Sequence, residues 1–124
     1  MTDQYEISEG HVIAIWLGDF TSYDDLDDYI QHSFSNDFGF ILNERKLPEI
    51  SEPDGQEIPV RDLLTGFSFW KDWIEDAVRL CQETGWTSAK GAAVFYHLRY
   101  RPELCLNPNA RLKFAANVPW NPKE

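Results

Sequence analysis

The sequence predicts a single α+β domain in two layers, with a mainly antiparallel sheet of about four strands and two helices on one face. Short apolar, β-branched runs indicate strands, and two segments with apolar residues at helical spacing indicate helices. Their order along the 124 residues is β-α-(β)-α-β-β. This length suits one domain spanning residues 1–124, and a hydrophobic content of 43% supplies enough core material.

The first strand and the first helix are predicted near the N-terminus. Residues 11–17 are nearly all apolar and end at Gly18. A strand that is apolar at almost every position is buried on both faces, so we expect it at the centre of the sheet. A helix follows, because Ser22 and Asp25 have the spacing of a capping box. Its apolar residues recur at helical spacing and are Tyr23, Leu26, Ile30 and Phe34.

The middle of the chain predicts a short strand, a long connection and a second helix. Residues 38–42 are short and apolar, as a strand would be, and residues 43–60 contain three prolines and an Asp-Gly turn signal. The clearest helix covers residues 69–84, with Ser68 as its N-cap and Gly85 beyond its end. The apolar face of this helix carries Trp70, Trp73, Ile74, Ala77, Leu80 and Cys81.

Two further strands are predicted before the C-terminus. Residues 92–100 form the first, and residues 111–118 alternate well enough to be its antiparallel hairpin partner. The residues of the last strand that should face the core are Leu112, Phe114 and Ala116. Trp120 follows in a proline-flanked tail, where it is either an anchor of the tail or an exposed binding aromatic, and we expect the anchor.

The formal net charge of −10 is unevenly distributed. Residues 1–60 hold 14 acidic and 2 basic side chains, and residues 61–124 hold 7 and 9, so the two halves carry −12 and +2. A surface this negative repels nucleic acid and anionic lipid headgroups and attracts cationic proteins. The asymmetry indicates either an acidic interaction face or carboxylates that only favour solubility.

The N-terminus and the cysteines predict a cytoplasmic protein. The first residues contain neither a basic segment nor an apolar segment of the kind found in secretory signals, and no apolar run approaches the ~20 residues that a membrane helix needs. Two cysteines, Cys81 and Cys105, do not make a disulfide framework. Cys81 lies on the apolar helix face, where packing is its expected role.

No pattern typical of catalysis or metal binding is present in the sequence. It lacks a Gly-x-Ser-x-Gly turn, a Cys-x-x-Cys pair and a His-x-x-x-His pair. The aspartates between residues 24 and 28 could suggest calcium. Their helical spacing instead places them on a solvent face at the helix N-terminus, where carboxylates are stabilising. We therefore expect no enzyme activity, no metal and no cofactor.

Residues 12–20 and 23–30 carry a family resemblance, with the sequences VIAIWLGDF and YDDLDDYI. A strand that ends in Trp-x-Gly-Asp and leads into an acidic helix resembles the opening of the immunity protein 22 family. That family comprises small α+β proteins predicted to neutralise toxins in bacterial polymorphic-toxin systems. The later helix and strands are similar to the family in order and spacing. The resemblance implies a non-enzymatic protein that binds a toxin domain in the producing cell.

The predicted function is therefore binding and neutralisation of a cognate toxin, which would be basic if it is a nuclease that contacts phosphate backbones. The candidate contact surface is the acidic side of the first helix together with the loop from Glu44 to Glu57. Its residues are Asp24, Asp25, Asp28, Glu49, Asp54 and Glu57. Two alternatives stay open: an enzyme or small-molecule binder with a cleft beside the sheet, and a homo-oligomeric structural module that pairs exposed sheet edges.

Overall fold

The computed structural model describes residues 8–39, 42 and 47–120. This part of the chain forms four α-helices and six strands. In chain order they are β1 (Ser8–Gly18), α1 (Tyr23–His32), α2 (Phe34–Phe38), β2 (Glu49–Ile50), β3 (Ile58–Pro59), α3 (Val60–Leu64), α4 (Trp70–Glu83), β4 (Ser88–Ala89), β5 (Gly91–Leu98) and β6 (Leu112–Pro119). Within the described ranges, no helix reaches the length and apolarity that crossing a membrane requires.

The main sheet has four antiparallel strands in the order β2-β5-β1-β6, which confirms the predicted fold class and strand number. β1 lies at the centre, as its uninterrupted apolar run predicted. Ile15 of β1 pairs with Val94 of β5 on one side and with Ala116 of β6 on the other. β3 and β4 form a separate two-stranded ribbon.

β5 and β6 are not the hairpin that the sequence predicted. Each strand pairs antiparallel with β1, so the two strands run parallel to each other. Two parallel strands that have β1 between them cannot be joined by a tight turn. Residues 99–111 instead form a crossover connection that contains a 3-10 turn at Pro102–Leu104.

The helices lie on both faces of the sheet, whereas the sequence analysis placed them on one. Alternate side chains of a strand point to opposite faces. Ala14 and Trp16 of β1 pack with α1 and α2, while Ile13 and Ile15 pack with α3 and α4. The apolar run of β1 is thus explained, because each of its faces contacts its own helical layer.

A β-bulge in β6 changes which residues face each layer. Ile15 pairs with Ala116 and Trp16 pairs with Phe114, so Ala115 has no partner residue in β1. Leu112 and Phe114 contact the layer of α1 and α2, as residues of one face should. Beyond the bulge, Ala115, Ala116 and Val118 all belong to the core on the side of α4. The predicted alternation therefore holds only before the bulge.

Two predicted element ends also differ from the structure. Phe38, expected in a strand, is the last residue of α2, and Gly39 ends that helix with a φ of 79°. The rest of the predicted strand includes residues 40 and 41, which lie outside the described residues. At α4, Phe69 rather than Ser68 occupies the N-cap position, with a φ of 60°.

Aromatic side chains fill both cores. The ring of Trp16 lies 4.9–5.6 Å from five other rings, those of Phe34, Phe38, Phe95, Tyr100 and Phe114. Trp73 is buried under α4, whereas Trp70 is only partly buried. Trp120 is the expected tail anchor: it is buried, and its Nε1 donates to Asp72 Oδ2 at 3.2 Å.

Candidate docking surface

Helix α1 presents one apolar side to the core and one acidic side to solvent. Ser22 is its N-cap, as predicted, because Ser22 Oγ accepts from the backbone N–H of Asp25 at 3.1 Å. Leu26 and Ile30 are buried against the sheet. The carboxylates in the first turns interact favourably with the positive end of the helix dipole. The same residues therefore stabilise the helix and make its exposed side negative.

Asp24 and Asp28 are the exposed members of the predicted contact set on α1. They lie one turn apart and therefore share one side of the helix. Asp24 forms no ion pair within the described residues. Asp28 Oδ1 lies 3.4 Å from His32 Nε2, a contact that balances charge only when the imidazole is protonated. This side of α1 is thus strongly negative.

Asp25 is directed away from that surface and pairs with Arg111 at the start of β6. Both guanidinium nitrogens Nη1 and Nη2 donate to its carboxylate, and the backbone N–H of Thr21 donates to Oδ2 at 3.1 Å. The hydrogen bond from Arg111 is the main reason why the pKa of Asp25 falls to about 2. Asp25 therefore holds α1 against the sheet, and its charge is already neutralised.

Glu49 faces the opposite side of the sheet from α1. Its neighbour Ile50 packs with the α1 layer, so the alternating side chain of Glu49 points towards α4. There its carboxylate accepts from Ser68 N at 3.0 Å, Ser68 Oγ at 3.2 Å and Tyr96 Oη at 2.6 Å. Burial, together with the bond to Glu49, raises the pKa of Tyr96 above its ordinary range. Glu49 thus joins β2 to the α3–α4 turn.

The two remaining predicted contact residues lie in the connection before α3. Asp54 is exposed, and its Oδ1 accepts from the backbone N–H of Gln56 at 3.1 Å, as in a turn. Glu57 is exposed and accepts from Ser88 Oγ at 2.7 Å across the β3–β4 ribbon. The beginning of the predicted loop, residues 44–46, lies outside the described residues.

The structure therefore brings Asp24 and Asp28 together, but it does not gather all six predicted residues into one surface. Asp25 is next to them in sequence but is paired with Arg111. Glu49 lies on the other face of the sheet, and Asp54 and Glu57 belong to a separate connection. Charge counting along the sequence could not separate these roles, because each depends on a partner distant in the chain.

The two halves of the chain differ in how their carboxylates are balanced. On α4, Glu75 pairs with Arg61, while Asp76 and Glu83 both pair with Arg79. Among the first-half carboxylates whose side chains the structure describes, Asp25 alone pairs with an arginine or lysine. The other described aspartates of α1 therefore have no arginine or lysine partner among the described residues.

Asp37 is a structural residue that the sequence analysis did not single out. Its carboxylate accepts from Tyr29 Oη at 2.6 Å and from Asn107 Nδ2 at 3.1 Å, and its backbone carbonyl accepts from Leu106 N at 2.8 Å. These bonds tie α2 to the crossover connection beside a polar cavity of about 400 Å³ that Asp28 also lines. No local sequence pattern signals the link to the crossover connection, because Asn107 lies 70 residues from Asp37.

The two cysteines lie in different surroundings, one buried and one partly exposed. Cys81 is buried, and burial raises the pKa of its thiol to about 12, which favours the expected packing role. Cys105 is partly exposed in the crossover connection. Among the residues that the structure describes, no group of three or more His, Cys, Asp or Glu side chains could hold a metal ion.

Comparison with known proteins adds no relative. No family model matches the chain, and neither a curated protein nor a solved structure is significantly similar to it. The resemblance of residues 12–30 to an immunity protein family therefore stays a prediction.

Proposed function

We propose that the protein is a non-enzymatic cytoplasmic immunity protein that binds and neutralises a basic bacterial toxin domain through the exposed acidic side of α1. One observation carries the proposal. Asp24 and Asp28 project from a helix that is capped by Ser22 and packed against the sheet, and no arginine or lysine of the described chain balances them. An uncompensated acidic surface suits a cationic protein partner.

The same surface gives a physical reason for fast association. Unbalanced carboxylates raise the local concentration of a cationic partner and can increase the association rate by ~10–1000-fold at low salt. An immunity protein must bind its toxin before the toxin acts, so the association rate is the quantity that matters. Nucleases fit this partner class because their phosphate-binding surfaces are basic.

The edges of the main sheet give no support to the alternative of a strand-pairing oligomer. β2 has only two residues, and β6 is an edge strand interrupted by the bulge at Ala115. Lys113 is exposed on β6, and Pro119 at its end has no N–H to donate. Charged side chains, prolines and bulges are the features with which proteins protect edge strands from pairing.

A rescue experiment tests the proposed function directly. A toxin domain sought among the products of the genes that adjoin the gene of this protein is expressed in a bacterial host with and without the protein, and growth is recorded. The proposal predicts that the protein restores growth and that the two purified proteins form a stable complex. Continued toxicity without complex formation would contradict it. Rescue with no physical complex would contradict the binding mechanism.

A further inference from the structure

Two non-glycine residues among those described have a left-handed backbone: Phe69, just before α4, and His97, near the end of β5, each with a φ of 60°. This region of backbone space is disfavoured for every residue that has a Cβ atom, and a bulky residue such as phenylalanine is exceptional there. Such conformations persist only where neighbouring contacts hold them. The contacts of Phe69 and His97 therefore indicate what keeps this backbone strain in the folded protein.

Both residues pack on the same side chain, that of Trp120. The centre of its ring lies 5.2 Å from the centre of the Phe69 ring and 5.2 Å from that of the His97 imidazole, at interplanar angles of 35° and 37°. Trp120 is buried, and the hydrogen bond from its Nε1 to Asp72 joins it to the first turn of α4. Phe69 and His97 are themselves exposed, so burial of their own rings does not hold them in place. One buried tryptophan thus contacts both strained positions.

The two strained positions lie where regular structure begins or is interrupted. Phe69 is the N-cap of α4, and its carbonyl accepts from the backbone N–H of Asp72 at 2.9 Å. His97 lies at the irregularity in the pairing of β1 with β5, which falls between Ser8 and Ile13 on β1. The ends of helices and strands open at lower free energy than their centres. Both positions can therefore change their backbone angles while the centre of the sheet stays intact.

We propose that Trp120 is a latch that holds Phe69 and His97 in the left-handed conformation. When its ring leaves the core, both residues relax to negative φ, and the first turn of α4 opens together with the ends of β5 and β6. The relief of strain lowers the free energy of the open form, so this unit opens without global unfolding. The latch is independent of the proposed function, because Trp120 belongs to the core on the side of α4, whereas α1 packs on the other face.

NMR spectroscopy of the full-length protein tests whether Trp120 holds the strain. Scalar couplings and carbon chemical shifts report the φ of Phe69 and His97, which should be positive in the wild type. Both should become negative in Trp120→Leu, which removes the aromatic ring and its hydrogen bond. Phe34→Leu is the matched control, because it removes an equally buried ring from the other core, and it should leave both φ values positive. A positive φ at both residues in Trp120→Leu would overturn the inference.

Native-state hydrogen exchange of the same variants tests whether the unit opens by itself. The backbone N–H groups of Trp70 and Asp72 report opening at the start of α4, and that of Ala14 in the central strand reports global unfolding. Trp120→Leu should accelerate exchange at Trp70 and Asp72 about tenfold, whereas Phe34→Leu should accelerate Ala14 without a comparable effect there. Equal protection of all three N–H groups in the wild type would contradict a separate opening unit.

A milder variant covers the case in which Trp120→Leu does not fold. Trp120→Phe keeps an apolar ring in the core but cannot donate to Asp72. It should move the φ of Phe69 and His97 in the same direction and accelerate the same exchange to a smaller extent. Unchanged φ values and unchanged exchange in this variant would overturn the inference as well.

Discussion

Asp25 and Arg111 lie 86 residues apart in the sequence and form a two-pronged ion pair between α1 and the start of β6. Arg111 also donates to the backbone carbonyl of Asp19 at 3.1 Å, and its guanidinium carbon lies 4.4 Å from the centre of the Phe20 ring. The arginine thereby connects the end of β1, the first turn of α1 and β6. Arg111, from the more basic half of the chain, thus neutralises Asp25 of the acidic half. Asp24 and Asp28, the neighbours of Asp25 on α1, are paired with no arginine or lysine among the described residues.

The first prediction concerns this pair. Arg111→Gln should lower the free energy of unfolding by about 0.5–1 kcal/mol near neutral pH, because the pair is partly exposed and screened by solvent. The ordinary pKa of 3.8 for Asp25 is lowered to about 2 in the folded protein, so the unfolded state binds more protons between these values. The stabilisation is therefore present above pH 3.8 and is lost as the pH falls towards 2.

Urea unfolding across this acidic range measures the effect. Arg79→Gln is the matched control, because Arg79 forms only exposed pairs on α4. The Arg111 variant should show a smaller decline of stability with acid than the wild type. Identical acid profiles for the wild type and Arg111→Gln would show that the pair does not stabilise the fold.

The second prediction concerns Trp73, which is buried beneath α4. Trp73→Ala should cost ~3–5 kcal/mol of unfolding free energy, because it removes a large aromatic side chain from the core. Trp73→Phe should cost much less, since the indole Nε1 is buried without a hydrogen-bond partner among the described residues and its loss removes an unsatisfied donor. Chemical denaturation of both variants checks the order. A phenylalanine variant as unstable as the alanine variant would contradict the packing described here.

The third prediction concerns the close contact of β1 with β6 at Gly18. A Cβ atom there would lie 2.2 Å from the carbonyl oxygen of Arg111 and 2.9 Å from Leu112 Cα. Both are backbone atoms, so Gly18→Ala should force the strands apart and cost ~1–3 kcal/mol. Gly91→Ala is the control, because the nearest atom to its Cβ would be the side-chain atom Pro53 Cγ at 3.2 Å, so the added methyl group meets no backbone atom at the distances found at Gly18. Equal thermal stability of the two variants would refute the prediction.

Local patterns predicted the elements that depend on local physics. The apolar run of β1, the cap at Ser22 and the amphipathic face of α4 each depend on neighbouring residues. The pattern of β1 also indicated that both its faces are buried, which already requires a helical layer on each side. Placing both helices on one face was inconsistent with that feature.

Long-range contacts determined what the sequence could not predict. Alternation in residues 111–118 identifies a strand but not its partner, and β1 lies between β5 and β6. Among the predicted contact residues, Asp25 and Glu49 acquire structural roles from Arg111 and Tyr96, far away in the chain. Only the exposed pair Asp24 and Asp28 was placed correctly on a solvent face by helical spacing alone.

We propose that the exposed side of α1 steers a basic toxin domain to the protein. The direct test of this proposal is stopped-flow association of the purified toxin domain with the wild type and with Asp24→Asn/Asp28→Asn across a salt series. Asp62→Asn/Glu83→Gln is the control, because it removes the same charge from exposed residues of α3 and α4. The α1 variant should associate more slowly at low salt and with a flatter salt dependence, while the control stays close to the wild type. Equal rates and equal salt slopes for the two variants would show that α1 is not the docking surface.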